Sequence, residues 1–406
     1  MNSHPCSAAT CFNKLAIFVL FAITMGAFSL VGCASGQSSA SSQQPASTET
    51  ASEPAVSVEN LHVTEDADSG RILFDISIDD FNQSGFAYGD SVDIVFSDGF
   101  EMRDIPYYNG YYADVDEMLL VAYPGSSCIK ALENYSDSLW ATSSLANGDT
   151  ATISLAEPGA YLNVQEAFDI TYTDKRSDYD SDEQFANFRT SAGGALKQGI
   201  VYRSASPIDN SYNRAPYVEA LMNQAGVAYV LDLADSSDEA DALIAEDKEL
   251  GIDVSYFEDL FTTDRVATLN LSASYPSDNF AQSLAGGLVQ MTQHEGPYLV
   301  HCVEGKDRTG FACMLLQALC GASYDEMLAD YMITYYNYYG ITQESDPSKY
   351  DAISDLNLDG MLRFLADVDD EADLAAIDYV EPARNYLKNG GLTDEQIDAL
   401  LARLTQ

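Results

Sequence analysis

Residues His301 to Gly310 read His-Cys-Val-Glu-Gly-Lys-Asp-Arg-Thr-Gly, which sets a cysteine and an arginine six positions apart around a short glycine-bearing loop. A cysteine thiolate attacks phosphorus well, and a guanidinium offers a planar fork to two non-bridging phosphate oxygens, a geometry lysine cannot copy. The chemistry implied is hydrolysis of a phosphate ester, with Cys302 as nucleophile and Arg308 as anion clamp. The backbone N–H groups of Val303, Glu304, Gly305, Lys306 and onward to Arg308 can face a dianion if the loop closes over it. Thr309 can donate its hydroxyl to the thiolate and make Cys302 a better leaving group in a second step.

Such a loop works only between a strand end and a helix start. Pro297-Tyr298-Leu299-Val300 is an apolar run suited to a buried strand, and Thr309 to Leu319 is an apolar helix candidate. The helix dipole then adds positive potential beside Cys302 and favours a thiolate there. His301, on the strand, cannot be the attacking group and reads as a residue that braces the loop. Cys313 and Cys320, on the helix, read as core thiols.

The string resembles the Cys-x5-Arg-Ser/Thr loop of the protein tyrosine phosphatase superfamily, in particular the atypical bacterial tyrosine and dual-specificity phosphatases. Asn187-Phe188-Arg189, Tyr202-Arg203-Ser204, Val230-Leu231-Asp232-Leu233, Asp330-Tyr331 and the tail from Tyr386 to Thr393 stand in that family's order. The resemblance implies a metal-free reaction through a cysteinyl-phosphate, with no cofactor, on phosphorylated proteins, phosphoinositides or inositol phosphates. Lys306 resembles a residue that accepts a second phosphate in the lipid phosphatases of the superfamily. One departure is Ala234, where the family commonly has arginine after the Asp-Leu pair. Another concerns the general acid: many members use an Asp after a Trp-Pro pair, yet the single tryptophan is Trp140, far upstream. Asp307, inside the loop, and Asp232, at the end of an apolar run, are the leading candidates, with Asp259 as a third.

The alternation of strand candidates (Gly199–Tyr202, Val227–Leu233, Ile252–Phe257, Tyr298–Cys302) with helices such as Pro216–Ala225 argues for an α/β domain with a mainly parallel central sheet flanked by helices, over residues 187–406. A small all-β domain is expected before it, over 56–170, from alternating runs at Ile72–Ile78, Ser91–Phe96 and Ala151–Leu155. Within it, Asp104 to Tyr112 packs four tyrosines into nine residues, readable as core packing or as an aromatic ligand platform. Residues 171–186 read as an exposed acidic linker. Asp355 to Gly360 matches the start of a calcium loop, but the twelfth position is Ala366 where a bidentate glutamate is required, so a helix-entry turn is the better reading.

The chain has 64 acidic against 19 basic residues and a net charge of −45, which excludes nucleic acid as a partner and keeps the protein soluble. It also repels anionic substrates at long range, so the site needs a local positive well from Arg308, Lys306 and Arg203. Residues 1–33 resemble a bacterial lipoprotein signal: Lys14, the apolar stretch Leu15 to Val31, then Leu30-Val31-Gly32-Cys33. Cleavage before Cys33 and acylation of its thiol would tether the chain to the outer face of the cytoplasmic membrane; the alternative is an uncleaved N-terminal transmembrane anchor, since about seventeen apolar residues are at the lower limit for a span. Residues 34–55, rich in Ser, Gln, Ala and Thr, form a flexible linker. With Cys6 and Cys11 in the signal and Cys33 lipidated, the remaining cysteines make no disulfide framework. A competing expectation is a cell-surface binding lipoprotein in which the β-domain carries the main role. Cys33→Ala is expected to abolish lipid attachment and cleavage before residue 33; mass spectrometry that places the native mature N-terminus elsewhere would remove the lipoprotein expectation.

Overall fold

The computed structural model describes residues 56–67, 69–135 and 138–406; the signal segment with Cys33 and the linker 34–55 lie outside the described residues. Seven strands come first: β1 (Ser57–Glu65), β2 (Ile72–Phe74), β3 (Ser91–Phe96), β4 (Glu101–Tyr108), β5 (Met118–Val121), β6 (Lys130–Glu133) and β7 (Thr150–Glu157). They form a closed barrel in the order β1-β2-β6-β5-β4-β3-β7. Alternation fills it: in β3, Val92, Ile94 and Phe96 are buried and pack with Phe74, Phe81, Tyr107 and Ile153. Closure leaves no free edge to pair with another chain.

The alternating run at Ile72–Ile78 yields a strand of only three residues. Ser77 accepts a hydrogen bond from the Asp80 backbone N–H at 3.1 Å and starts the helix Ile78–Gln83 instead. Within the barrel β4 and β5 run parallel, so the chain must cross between them rather than turn back in a tight hairpin. The crossing segment carries Tyr111 and Tyr112 outside the barrel. Tyr107 of β4 is buried in the barrel core, whereas Tyr108, on the opposite face of the strand, is buried outside it against Ala113, Leu119, Val121 and Leu132. Core packing thus accounts for Tyr107 and Tyr108, while Tyr111 and Tyr112 are half-buried.

A second sheet has the order β11-β10-β12-β9-β8, from β8 (Arg189–Thr190), β9 (Val201–Ser204), β10 (Tyr229–Asp232), β11 (Val266–Thr268) and β12 (Tyr298–His301). Pairs β9/β12, β12/β10 and β10/β11 are parallel; β8 adds antiparallel to β9. The strand expected at Ile252–Phe257 is not formed. Phe257 and Leu260, three apart, bury one face of the helix Ser255–Thr262, and Glu219 accepts the N–H groups of Tyr256 and Phe257 at its start. The helix Asp307–Leu319 is buried from Thr309 to its last residue, as a helix apolar on all sides must be.

Asp355 to Gly360 is not a helix-entry turn. Ser354–Asp359 is a π-helical turn between the helices Pro347–Ile353 and Gly360–Ala366, and no group of three metal-binding side chains occurs among the described residues. Nor is the segment 171–186 simply exposed. Its acidic side chains face solvent, but Tyr179 and Phe185 are buried and Tyr172 stacks on Tyr338 at 5.1 Å. Residues Val56–Gln406 form one compact unit. Tyr135 of the barrel region packs its ring 4.8 Å from Tyr275, while the Ser274 hydroxyl donates to the Tyr135 carbonyl at 2.9 Å.

Candidate active site

Strand β12 ends at His301, Cys302 follows with 4% exposure, and the helix Asp307–Leu319 starts five residues later. Between them three successive peptide carbonyls are held by the surrounding scaffold. The Val303 carbonyl accepts from the Ser206 N–H at 3.0 Å. That of Glu304 accepts from the Tyr338 hydroxyl at 2.6 Å, and that of Gly305 from Arg203 Nη2 at 3.1 Å and Asn187 Nδ2 at 3.2 Å. In a trans peptide the following N–H points opposite to the carbonyl, so Glu304, Gly305 and Lys306 present their N–H groups away from the scaffold. Among the described residues, none of the N–H groups from Val303 to Lys306 has a protein acceptor. The first-turn N–H groups of the helix continue the series. Gly305 is required: its φ is +67° and a Cβ there would lie 2.2 Å from the Ser204 carbonyl oxygen.

The scaffold is an ion cluster. Arg203, 1% exposed, meets Asp330 at 3.2 Å, and Arg189 meets the same carboxylate at 3.4 Å while bonding Asn187 and Thr334. Burial and the neighbouring Arg203 guanidinium pull Arg189 down to about 10. Breaking such a pair leaves an uncompensated buried charge, at a typical cost of about 3–5 kcal/mol. Arg203, expected to add charge to the site, instead stands behind the loop and orients it. Cys313 and Cys320 are buried as expected, and burial pushes the Cys313 thiol up to about 11.

A cavity of about 630 Å³ opens beside the loop. Lys306, Asp307 and Arg308 line it from below, with Tyr335 and Tyr339 of the helix Tyr324–Tyr339, and the barrel contributes Arg71, Tyr111, Tyr112 and Tyr123. Cys302 is not in this lining; it is recessed at the start of the loop. Arg308 donates Nη1 to the Leu271 carbonyl at 2.9 Å, which fixes one corner of its fork. The Thr309 hydroxyl is fully buried and has no protein partner. The Lys306 ammonium lies 3.3 Å from Glu304 and 3.9 Å from Asp307. Burial works against its charge, but these two carboxylates outweigh that and raise its pKa well above the ordinary value. The charge meant for a second phosphate is thus already answered within the loop. Glu304 also accepts a hydrogen bond from Tyr172, a contact across 132 residues that no local pattern announces.

The sequence matches the tyrosine phosphatase family over residues 184–406, more than half of its 406 residues. The chain belongs to the tyrosine phosphatase family. A protein of Cupriavidus necator that carries the name of a tyrosine-protein phosphatase is 46% identical over 46 residues. That match covers 11% of this chain and 17% of the relative, well under two thirds of its length.

The three acid candidates of this tyrosine phosphatase domain fall in different settings. Asp307 is exposed and lines the cavity. Asp259 lies on the surface in an ion pair with Arg265 at 2.6 Å and is not in the lining. Asp232 is fully buried, with Oδ1 accepting from the N–H groups of Ala234 and Asp235, so burial removes it from a leaving group in the cavity. It lies 3.9 Å from His301, whose ring nitrogens have no partner and which burial pushes down to about 4, leaving it neutral near pH 7. Burial raises Asp232 to about 7 in spite of its N–H donors, and burial plus Asp232 raises Asp235 to about 7. Asp235 escaped sequence reasoning; its only signal was a second carboxyl three residues after Asp232.

The native pKa of Asp232 exceeds its ordinary value of 3.8. Folding therefore favours the protonated form, and this contribution to stability, full below about pH 4, is lost as pH rises toward 7. Asp232→Asn imitates the protonated acid. Its melting temperature is expected to gain on the unsubstituted chain steadily from pH 4 to 7 and to hold that gain above; a difference constant across the range would contradict the assignment.

Proposed function

We propose that this chain is a cysteine-dependent phosphatase that hydrolyses phosphate monoesters through a cysteinyl-phosphate intermediate. The observation that carries the reading is the run of loop N–H groups without protein acceptors, ending at a helix N-terminus, between Cys302 and Arg308. These donors suit the equatorial oxygens of a phosphoryl group, and the Arg308 fork, steadied by Leu271, suits two of them. The Cys302 thiolate attacks phosphorus; the S–P bond forms as the bond to the leaving oxygen breaks, and that oxygen takes a proton from Asp307. Water then attacks phosphorus and gives up a proton to the Asp307 carboxylate, which restores the acid; the S–P bond breaks, and inorganic phosphate leaves as the sulfur recovers its electron pair. The unpartnered Thr309 hydroxyl suits a donor to the departing sulfur.

Phosphotyrosyl proteins, phosphoinositides and soluble inositol phosphates are the substrate classes in view, met outside the cytoplasmic membrane by a chain tethered through acylated Cys33. Barrel residues share the cavity with the phosphate loop. That favours a single catalytic role over a binding lipoprotein with an accessory phosphatase.

Cys302→Ser is expected to abolish phosphate release while retaining ligand binding; a residual rate above about a hundredth of the original would contradict the covalent route. Asp307→Asn should slow release from an alkyl phosphate by about 10²–10⁴ and from p-nitrophenyl phosphate far less, since a good leaving group needs little protonation. Equal losses on both would take the general-acid role from Asp307.

A further inference from the structure

Among the described residues every arginine except two has a carboxylate within 4.0 Å. The exceptions are Arg308 and Arg71, and both line the same cavity. In a chain of net charge −45, an arginine left without a carboxylate is uncommon enough to call for an explanation. Arg71 is also held in place: Nη1 donates to the Tyr111 hydroxyl at 2.8 Å, and the guanidinium lies 4.8 Å from the centre of that ring. Tyr111 is in turn stacked on Tyr123 at 5.4 Å. These contacts occupy one N–H and one face of the fork, and the rest is open to a ligand.

We propose that the barrel supplies a second anion subsite, centred on Arg71, so that the cavity prefers a compact phosphate monoester bearing a second anionic group, phosphate or carboxylate, on a ring-shaped body. The proposal rests on the phosphatase reading for the first anion. The charged lining consists of Arg71, Lys306 and Arg308 against Glu133 and Asp307, positive on balance inside a strongly acidic chain. Lys306 is taken up by Glu304 and Asp307, which leaves Arg71 as the cation for the distal group. The faces of Tyr111, Tyr112, Tyr335 and Tyr339 offer flat surface to the body between the two anions, and the volume of about 630 Å³ suits a small molecule.

The test uses the full chain carrying Cys302→Ser, so that nothing turns over, and calorimetric titration with two matched pairs. One pair is N-acetyl-O-phosphotyrosine and its C-terminal amide, which differ by a carboxylate; the other is an inositol bisphosphate and an inositol monophosphate. In at least one pair the member with the extra anion is expected to bind about tenfold or more tightly, the scale of a charge-assisted contact. Which pair responds identifies the second anion. Arg71→Ala should bring that ratio to about two or less, whereas Arg71→Lys, which keeps the charge, should retain most of it. If Arg71→Ala does not fold, Arg71→Gln removes the charge while keeping a donor for Tyr111 and is read in the same way. The absence of any advantage in both pairs, or an advantage that survives loss of the Arg71 charge, overturns the proposal. Phosphate release from p-nitrophenyl phosphate by the unsubstituted chain judges the phosphatase reading separately: its failure leaves the binding ratios able to decide on Arg71.

Discussion

The direction of three peptide bonds governs the candidate site. The carbonyls of Val303, Glu304 and Gly305 are each engaged by the scaffold, and the N–H groups that follow them are thereby turned the other way. A loop left to itself would bind water through both sets of groups and hold no fixed concavity. Here Arg203 and Asn187 grip the Gly305 carbonyl, and the close Ser204 backbone makes glycine compulsory at that position. Asp330 offsets the charge of Arg203 and Arg189 where solvent cannot reach, so it sustains the loop without touching a substrate.

Electrostatics follow the same economy of cations. With 64 acidic and 19 basic residues, most guanidiniums and ammoniums are spent on carboxylate partners. Lys306 is among them, which makes it part of the loop's own charge balance with Glu304 and Asp307. Arg308 and Arg71 are held instead by a carbonyl and a phenol hydroxyl, neutral acceptors that fix geometry without cancelling charge. Among the described residues, the two arginines without a carboxylate partner thus share one cavity of a strongly acidic chain.

The barrel reaches this cavity because of its topology. A parallel pairing of β4 with β5 forces a crossing segment, and that segment carries Tyr111 and Tyr112 to the cavity while Tyr107 stays inside the barrel and Tyr108 packs on its outer face beside Tyr112. The contact of Tyr135 with Tyr275 and Ser274 links the barrel region to the segment that follows Leu271, the residue that steadies Arg308.

What the sequence determined by itself was local. The ten-residue string between an apolar strand and an apolar helix specified a strand–loop–helix turn, because glycine, helix start and strand end are all readable within a few residues. Alternation marked β3 and β7, and the apolar run from Thr309 marked the buried helix. Only tertiary structure decided the rest. Of the run Ile252–Phe257, the last three residues became the start of a helix, where Glu219, over thirty residues earlier, accepts the N–H groups of Tyr256 and Phe257. Arg203 went behind the loop rather than into the cavity because Asp330 lies there, and Asp232 was withdrawn from leaving-group chemistry by full burial beside His301. Arg71 and Tyr172 carry no motif at all. Their places depend on how distant segments pack, and packing is set by the whole core rather than by the neighbours of any one residue.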